Sequence, residues 1–312
     1  MPAYNVARYI VETLDSVFNQ TFTDYELILV NDGSPDTVEL ERTLEPYISR
    51  IRYIKQKNLG AGAARNEGLR AAQGGFIAFL DADDLWLPNY LEEQLKFIRQ
   101  TGFDLVCADA MHFGVSPFAG KTYMEVYMGT APMQGEVTFL GLVSAEQSLI
   151  TSGVVARFDP IIEVGLFDEG LRNSQDFDLW LRLLRSGARL GYQKQLLLRY
   201  RCHENSLSGD EINRSKRQLR VYDKIETSFE LTPEERPAVV RAIERRRALL
   251  EFELGKVYLE QSDFEKSHIA FSRANDLRRS WKTLVATLLS RWSPRLLRAI
   301  HLRRIRRLRG VH

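Results

Sequence analysis

Two cysteines in 312 residues, Cys107 and Cys202, leave no material for a disulfide framework. Their spacing fits no metal-ligand pattern and suits a reducing compartment. No apolar run is long enough to span a bilayer, and no stretch has the pattern of a signal peptide. Acidic residues are missing altogether from residue 277 onward, where eleven of the 43 Lys and Arg lie. The first 276 residues keep 32 basic groups against all 41 Asp and Glu, so the net charge of +2 conceals an acidic body and a basic tail. That division excludes a uniform nucleic-acid binder; no nucleic-acid partner is expected, and the tail is directed toward an anionic surface. What remains is ordinary for a globular protein, 44% hydrophobic and 27% charged, and long enough for one large domain plus an appendage.

Strand and helix signals alternate through the first half. Val6, Tyr9, Ile10, Leu14, Val17 and Phe18 predict a helix over 6–20 with Asn5 as its N-cap. Strands are predicted at 25–32, 50–56, 76–80 and 103–110, with helices over 60–74 and 88–100 between them. Such alternation implies a parallel α/β sheet whose ligands sit beyond the carboxyl ends of the strands, where Asp32 and the carboxylates at 81–84 fall. The first helix should follow a strand, yet only "MPAYN" precedes it. The first strand is therefore expected to be truncated, with the true start upstream. Residues 110–150 read as an irregular, Gly-rich substrate loop. "SQDFDLWLRLLRSG" predicts a helix over 174–187 with Leu179, Trp180, Leu183 and Leu184 inward and Gly187 as its stop. A charged helix at 210–229 follows. A helical pair over 248–277 then places Leu254, Gly255, Tyr258, Phe264, Phe271 and Ala274 as in one tetratricopeptide repeat, or as a plain two-helix cap. The chain is expected to divide into 1–208, a helical extension at 209–277 and a basic tail at 278–312.

"GGFIAFLDADDLWLP" carries Asp81, Asp83 and Asp84 to the end of a strand. Read alone, this loop is either simply solvated or holds a hard divalent cation, with substrate phosphates completing the ion's shell. "GAGAAR" offers only two glycines of a dinucleotide fingerprint, since Arg65 stands at the third, which argues against a nicotinamide-dependent dehydrogenase.

"PAYNVARYIVETLDSVFNQTFTDYELILVNDGSPDT", "NLGAGAARNEGLRAAQGGFIAFLDADD" and "GLFDEGLRNSQDFDLWLRL" resemble, in order, successive motifs of the family 2 inverting glycosyltransferases. The resemblance covers residues 2 to about 208. It implies a GT-A fold, Rossmann-like with a mostly parallel sheet, that binds a nucleotide-diphosphate sugar of UDP type. By this resemblance Pro2, Ala3 and Tyr4 line the base pocket and Asp32 hydrogen-bonds the base. Arg65 lies beside the nucleotide, and Asp36 serves a local Asx turn. Asp81 faces the ribose or sugar, while Asp83, assisted by Asp81, Asp84 and His203, binds Mn²⁺ or Mg²⁺. Asp176 is the base that takes a proton from the acceptor hydroxyl, although Gln175 replaces the acid that precedes it in the family. The alternative for Asp176 is a helix-start residue favoured by the dipole.

In the tail, Trp281, Leu284, Val285, Leu288, Leu289 and Trp292 form one apolar stripe with Lys282 and Arg291 off it, and beyond Pro294 a looser, Arg-rich helix continues. It either lies in an anionic membrane interface or packs on the body. The expected function is transfer of a sugar to a glycan or lipid-linked acceptor in cell-surface polysaccharide synthesis, in the cytoplasm or on the cytoplasmic face of the membrane. The competing reading is a non-catalytic scaffold on a degenerate transferase fold.

Overall fold

Five consecutive buried residues, Ile28–Asp32 (β2), form the centre of a three-stranded parallel sheet. The computed structural model describes residues 1–131, 133–171, 174–203 and 211–308. On one side β2 pairs with β1 (Pro2–Ala3), Pro2 opposite Val30, and on the other with β3 (Arg52–Gln56), Ile28 opposite Arg52. Alternate side chains of β2 point to opposite faces, and both faces are covered. Leu29 joins Ala3, Ile10, Leu14, Leu40 and Leu44, contributed by β1, α1 (Ile10–Phe18) and α2 (Thr37–Leu44). Ile28 and Val30 meet Ala64 of α3 (Ala61–Ala71).

The first strand is short: β1 contributes two residues, which pair with Val30 and Asn31 of β2. Asn5 is not an N-cap: its φ is +56°, and α1 begins only at Ile10. The intervening chain is drawn instead to the loop after β2. Asn5 N–H donates to the Ser34 hydroxyl at 2.6 Å, and Ala7 N–H donates to Asp36 Oδ2 at 2.8 Å. Asp36 accordingly bridges two loops and makes no side-chain cap on α2.

The second sheet is mixed. Its order is β4 (Phe76–Ala78), β8 (Val154–Arg157), β6 (Leu105–Gly114), β9 (Leu190–Cys202) and β5 (Leu85–Trp86), with β7 (Gly135–Val137) also on β9. Only β6 and β9 run parallel, from Leu105 opposite Leu190 to Gly114 opposite Cys202. Between α4 (Tyr90–Thr101) and β8, the segment expected to be a bare loop carries short elements: the far half of β6, α5 (Tyr123–Tyr127), β7 and α6 (Phe139–Ser144). Thr122 and Glu125 close a capping box on α5, which explains how five residues hold a helix. After α7 (Phe158–Glu163), α8 (Gln175–Arg185) buries Leu179, Trp180, Leu181 and Leu183; Leu184 is only half-buried, and Gly187 (φ +92°) follows as the stop.

The chain separates into two units, Met1–Ser206 and Leu207–His312. Every described element of the second is a helix: α9 (Glu211–Ser228), α10 (Arg236–Glu260), α11 (Phe264–Leu277), α12 (Trp281–Trp292) and α13 (Pro294–Leu308). Gly255 lets α10 and α11 approach, because a Cβ there would lie 2.6 Å from the Phe271 ring. Among the described residues no helix is long and apolar enough to cross a membrane.

Candidate active site

The strand β4 ends at Ala78, but Phe79 N–H still reaches Val154 O at 3.1 Å and Leu80 is buried, so the chain leaves the sheet firmly anchored. It then turns at 81–84, where Asp84 N–H donates to Asp81 O. The three carboxylates diverge. Asp81 Oδ1 accepts from Arg65 Nη2 at 2.6 Å, a guanidinium almost wholly buried on α3 and 5.6 Å from the centre of the Phe167 ring. Asp83 Oδ2 lies 2.9 Å from His203 Nε2, whose ring stacks on Tyr9 at 4.8 Å. Asp84 is fully buried and accepts the Arg201 N–H at 2.8 Å. Burial, then the neighbouring Asp83 and Asp81, push its carboxyl well above the usual carboxylate range, against the pull of the Ser152 hydroxyl and the Arg201 amide. Asp84 thus ties the turn to β9 from inside the protein, and the expected part as an assisting ion ligand does not match that burial.

Asp176 stands in the first turn of α8, after Ser174 at φ +59°. Its Oδ1 accepts the Phe177 N–H and its Oδ2 the Thr151 hydroxyl, both at 2.8 Å. Thr151 opens a 3-10 turn, Thr151–Gly153, whose next residue accepts the Asp81 N–H on the Ser152 hydroxyl at 3.1 Å. Adjacent residues, with Cα atoms about 3.8 Å apart, therefore hold the Asp176 side chain and the Asp81 backbone. Trp86 Nε1 and Gln94 Nε2 donate to the carbonyls of Ser152 and Gly153, each at 2.8 Å, and fix the turn in place. Sequence reasoning missed this hub. "TSG" after an apolar run reads only as a turn, and nothing local marks its partners.

Two further residues set the helix. Gln175 is buried against α3, its Cγ 3.1 Å from where a Gly62 Cβ would be. An ionised acid in that place would lose its hydration, which gives the neutral amide a physical reason. Asp178 is fully buried and accepts from Arg182 Nε at 2.8 Å, while that guanidinium also donates to the carbonyls of Val164 and Leu166. Asn66, also missed from sequence, exchanges 2.9 Å hydrogen bonds with both backbone groups of Phe167 and binds α3 to the loop before α8.

On the other flank, Asp32 is buried at the end of β2. Its Oδ1 accepts from Gln56 Nε2 at 2.7 Å and Leu59 N–H at 2.9 Å, and its Oδ2 from Gly60 N–H at 2.9 Å. A carboxylate has about four accepting positions, so one is left over. Gly33 is required beside it: φ is +60°, and a Cβ would meet Asn58 N at 2.6 Å. Tyr4 is half exposed and Pro2 partly buried, but Ala3 is fully buried in the core, so its methyl lines no open pocket.

Among the described residues no group of three His, Cys, Asp or Glu is arranged to hold a metal. The carboxylates of Asp81 and Asp83 stand at the carboxyl end of β4 in contact with Arg65 and His203. A hard cation suits two such carboxylates, because Mg²⁺-type ions commonly take one or two and fill the shell with phosphate oxygens and water.

Against known proteins, the model of glycosyl transferase family 2 matches residues 1–144. The putative teichuronic acid biosynthesis glycosyltransferase TuaG of Bacillus subtilis is 30% identical over 236 residues, 72% of this chain and 86% of that protein. An uncharacterized glycosyltransferase of Rickettsia bellii is 32% identical over 213 residues, which is 65% of this chain and 29% of that protein. The chain spans about a third or less of the first curated relatives it matches. Among solved structures, residues 1–349 of S. aureus TarS with UDP-GlcNAc superpose with a TM-score of 0.61 at 17% identity, over 93% of this chain and 90% of that one. The mannosyltransferase PcManGT of Pyrobaculum calidifontis, with GDP-Man and Mn²⁺, gives 0.59 at 17% identity over 96% and 82%. These likenesses establish the GT-A-type architecture.

Proposed function

The chain belongs to glycosyl transferase family 2, and on that premise we propose that it is an inverting, metal-dependent transferase moving one sugar from a UDP-type nucleotide donor to an acceptor hydroxyl. The observation that supports this reading is the Thr151–Gly153 turn, where the Thr151 hydroxyl donates to the Asp176 carboxylate and the adjacent Ser152 hydroxyl accepts the Asp81 backbone N–H.

In this reading Asp32 accepts from the base through its remaining lone pair, with the Tyr4 ring alongside. Asp83 and His203, with Asp81, would hold a divalent ion, which would supply Lewis-acid stabilisation of the departing diphosphate. Arg65 keeps Asp81 in position beneath the donor. Asp176, aimed by the Thr151 hydroxyl and the Phe177 amide, takes the proton of the acceptor hydroxyl as that oxygen attacks the anomeric carbon. Attack opposite the leaving group inverts the centre. An acceptor in cell-surface polysaccharide or lipid-linked glycan synthesis fits the likeness to TuaG. The scaffold alternative leaned on a truncated first strand, Gln175 and the helical extension; the burial of Gln175 against α3 gives that substitution a structural reason compatible with an active transferase.

Asp176→Asn should leave donor affinity within about twofold yet lower transfer by a factor of 10² or more, about what general-base catalysis contributes. Titration of UDP-sugar binding beside a turnover assay checks this, and unimpaired turnover would remove Asp176 as the base. Mn²⁺ should tighten UDP binding in calorimetry, and Asp83→Ala should abolish that gain. Equal tightening in the variant would separate the ion from Asp83.

A further inference from the structure

The two faces of α12 differ in chemistry. Thr283, Ala286 and Ser290 are buried, and hydroxyl groups fasten this side to α11. Thr287 donates to Phe271 O, Thr283 to Asn275 Oδ1, and Ser290 shares a hydrogen bond with His268 Nδ1, all at 3.0 Å. The large apolar residues lie elsewhere. Trp281 is 73% exposed, Leu284 50%, Val285 44%, Leu288 49% and Trp292 75%, and α13 adds Leu296 and Ile300, each more than half exposed. A helix held by its apolar stripe would bury those side chains. Here small and hydroxylated residues hold the helix, and the stripe faces out, a pattern that marks an interaction surface.

Charge indicates what covers it. Lys282 and Arg291 set their cations over the rings of Trp281 and Trp292, at 5.8 and 5.4 Å. Arg278 and Arg279 precede the helix, Arg295 follows it, and no Asp or Glu occurs from residue 277 on. Two copies joined stripe to stripe would bring Lys282 and Arg291, the cations set over its end tryptophans, into the seam with their own copies. An anionic bilayer surface answers both halves, with apolar depth for the stripe and counter-charge for the arginines. Tryptophans at both ends suit the headgroup region.

We propose that α12, with the first turns of α13, is an in-plane anchor that docks this protein on an anionic lipid bilayer. The anchor stands apart from the sugar-transfer reading and does not depend on it. The test uses the full chain with vesicles of phosphatidylcholine alone, or mixed with phosphatidylglycerol, and measures co-sedimentation. The protein should follow the mixed vesicles, remain largely free of the neutral ones, and be released by added salt. The variant Trp281→Ser/Leu288→Ser/Trp292→Ser changes only exposed positions. It should keep its circular dichroism and UDP binding while its vesicle partition falls about tenfold or more, the worth of roughly 1.4 kcal/mol. Three results would overturn the anchor. The full chain could ignore anionic vesicles, or the variant could bind them equally well. Light scattering could instead show a dimer that the variant splits with no change in vesicle binding, which would assign the stripe to a second copy.

Discussion

Residue by residue, acids with the same side chain part company according to their surroundings. Asp176 and Asp178 sit two positions apart on α8, yet one faces a hydroxyl-lined turn and the other is sealed under Arg182. Sequence could separate them, because helical spacing sends positions i and i+2 in different directions. It could not distinguish Asp84 from Asp83, since which of two neighbouring carboxylates enters the core is decided by the Arg201 amide, 117 positions away. Glu251 of α10 shows the same burial cost without any proposed chemistry. Desolvation raises its carboxyl above the ordinary value, with Arg273 opposing from 3.7 Å. A raised folded-state pKa means that the folded protein binds the extra proton, so this penalty develops as pH rises through the carboxylate range and is complete above the raised value. Glu251→Gln should therefore stabilise the protein at neutral pH, with the gain vanishing below the ordinary carboxylate pKa of about 4.3. Denaturation midpoints of both proteins at acid and neutral pH check this, and a gain that persisted in acid would contradict it.

At the level of elements, what sequence revealed was periodicity, and what it concealed was pairing. β2, β3, α3 and α8 lie inside the predicted ranges, and α4 overruns its range by one residue, because each carries its own hydrophobic signature. The mixed second sheet was not legible, since β4, β8 and β6 are brought together by contacts that no local pattern encodes. The short helices α5 and α6 were missed for a similar reason. Five- and six-residue helices hold through caps at Thr122 and Thr138 and through packing, with too few residues to show a period. The contact of α10 with α11 provides a test of packing at this scale. Gly255→Ala would drive a methyl into the buried Phe271 ring and should cost about 1–3 kcal/mol. Thermal melts measure the loss, and adding Phe271→Leu should recover part of it. A Gly255→Ala protein that melts unchanged would mean that the helices can separate at no cost.

Across the whole molecule, charge is segregated along the chain: an acidic body up to residue 276 and a stretch without acids after it. That feature was fully visible in sequence, whereas the orientation of the Trp281–Trp292 stripe was not, because periodicity alone cannot say which face a helix buries. A chain ending at residue 277 should leave an anion exchanger at clearly higher salt than the full chain at neutral pH. Equal elution would show that the opposite charges are not separated on the surface.

The Thr151–Gly153 turn has one more consequence. It acts as a spacer block with a fixed gauge, gripping the Asp176 carboxylate and the Asp81 backbone from neighbouring residues. Inserting a single glycine between Thr151 and Ser152 should therefore shift the Asp176 side chain against the Asp81 backbone and, on the proposed reading, lower sugar transfer while the fold is kept.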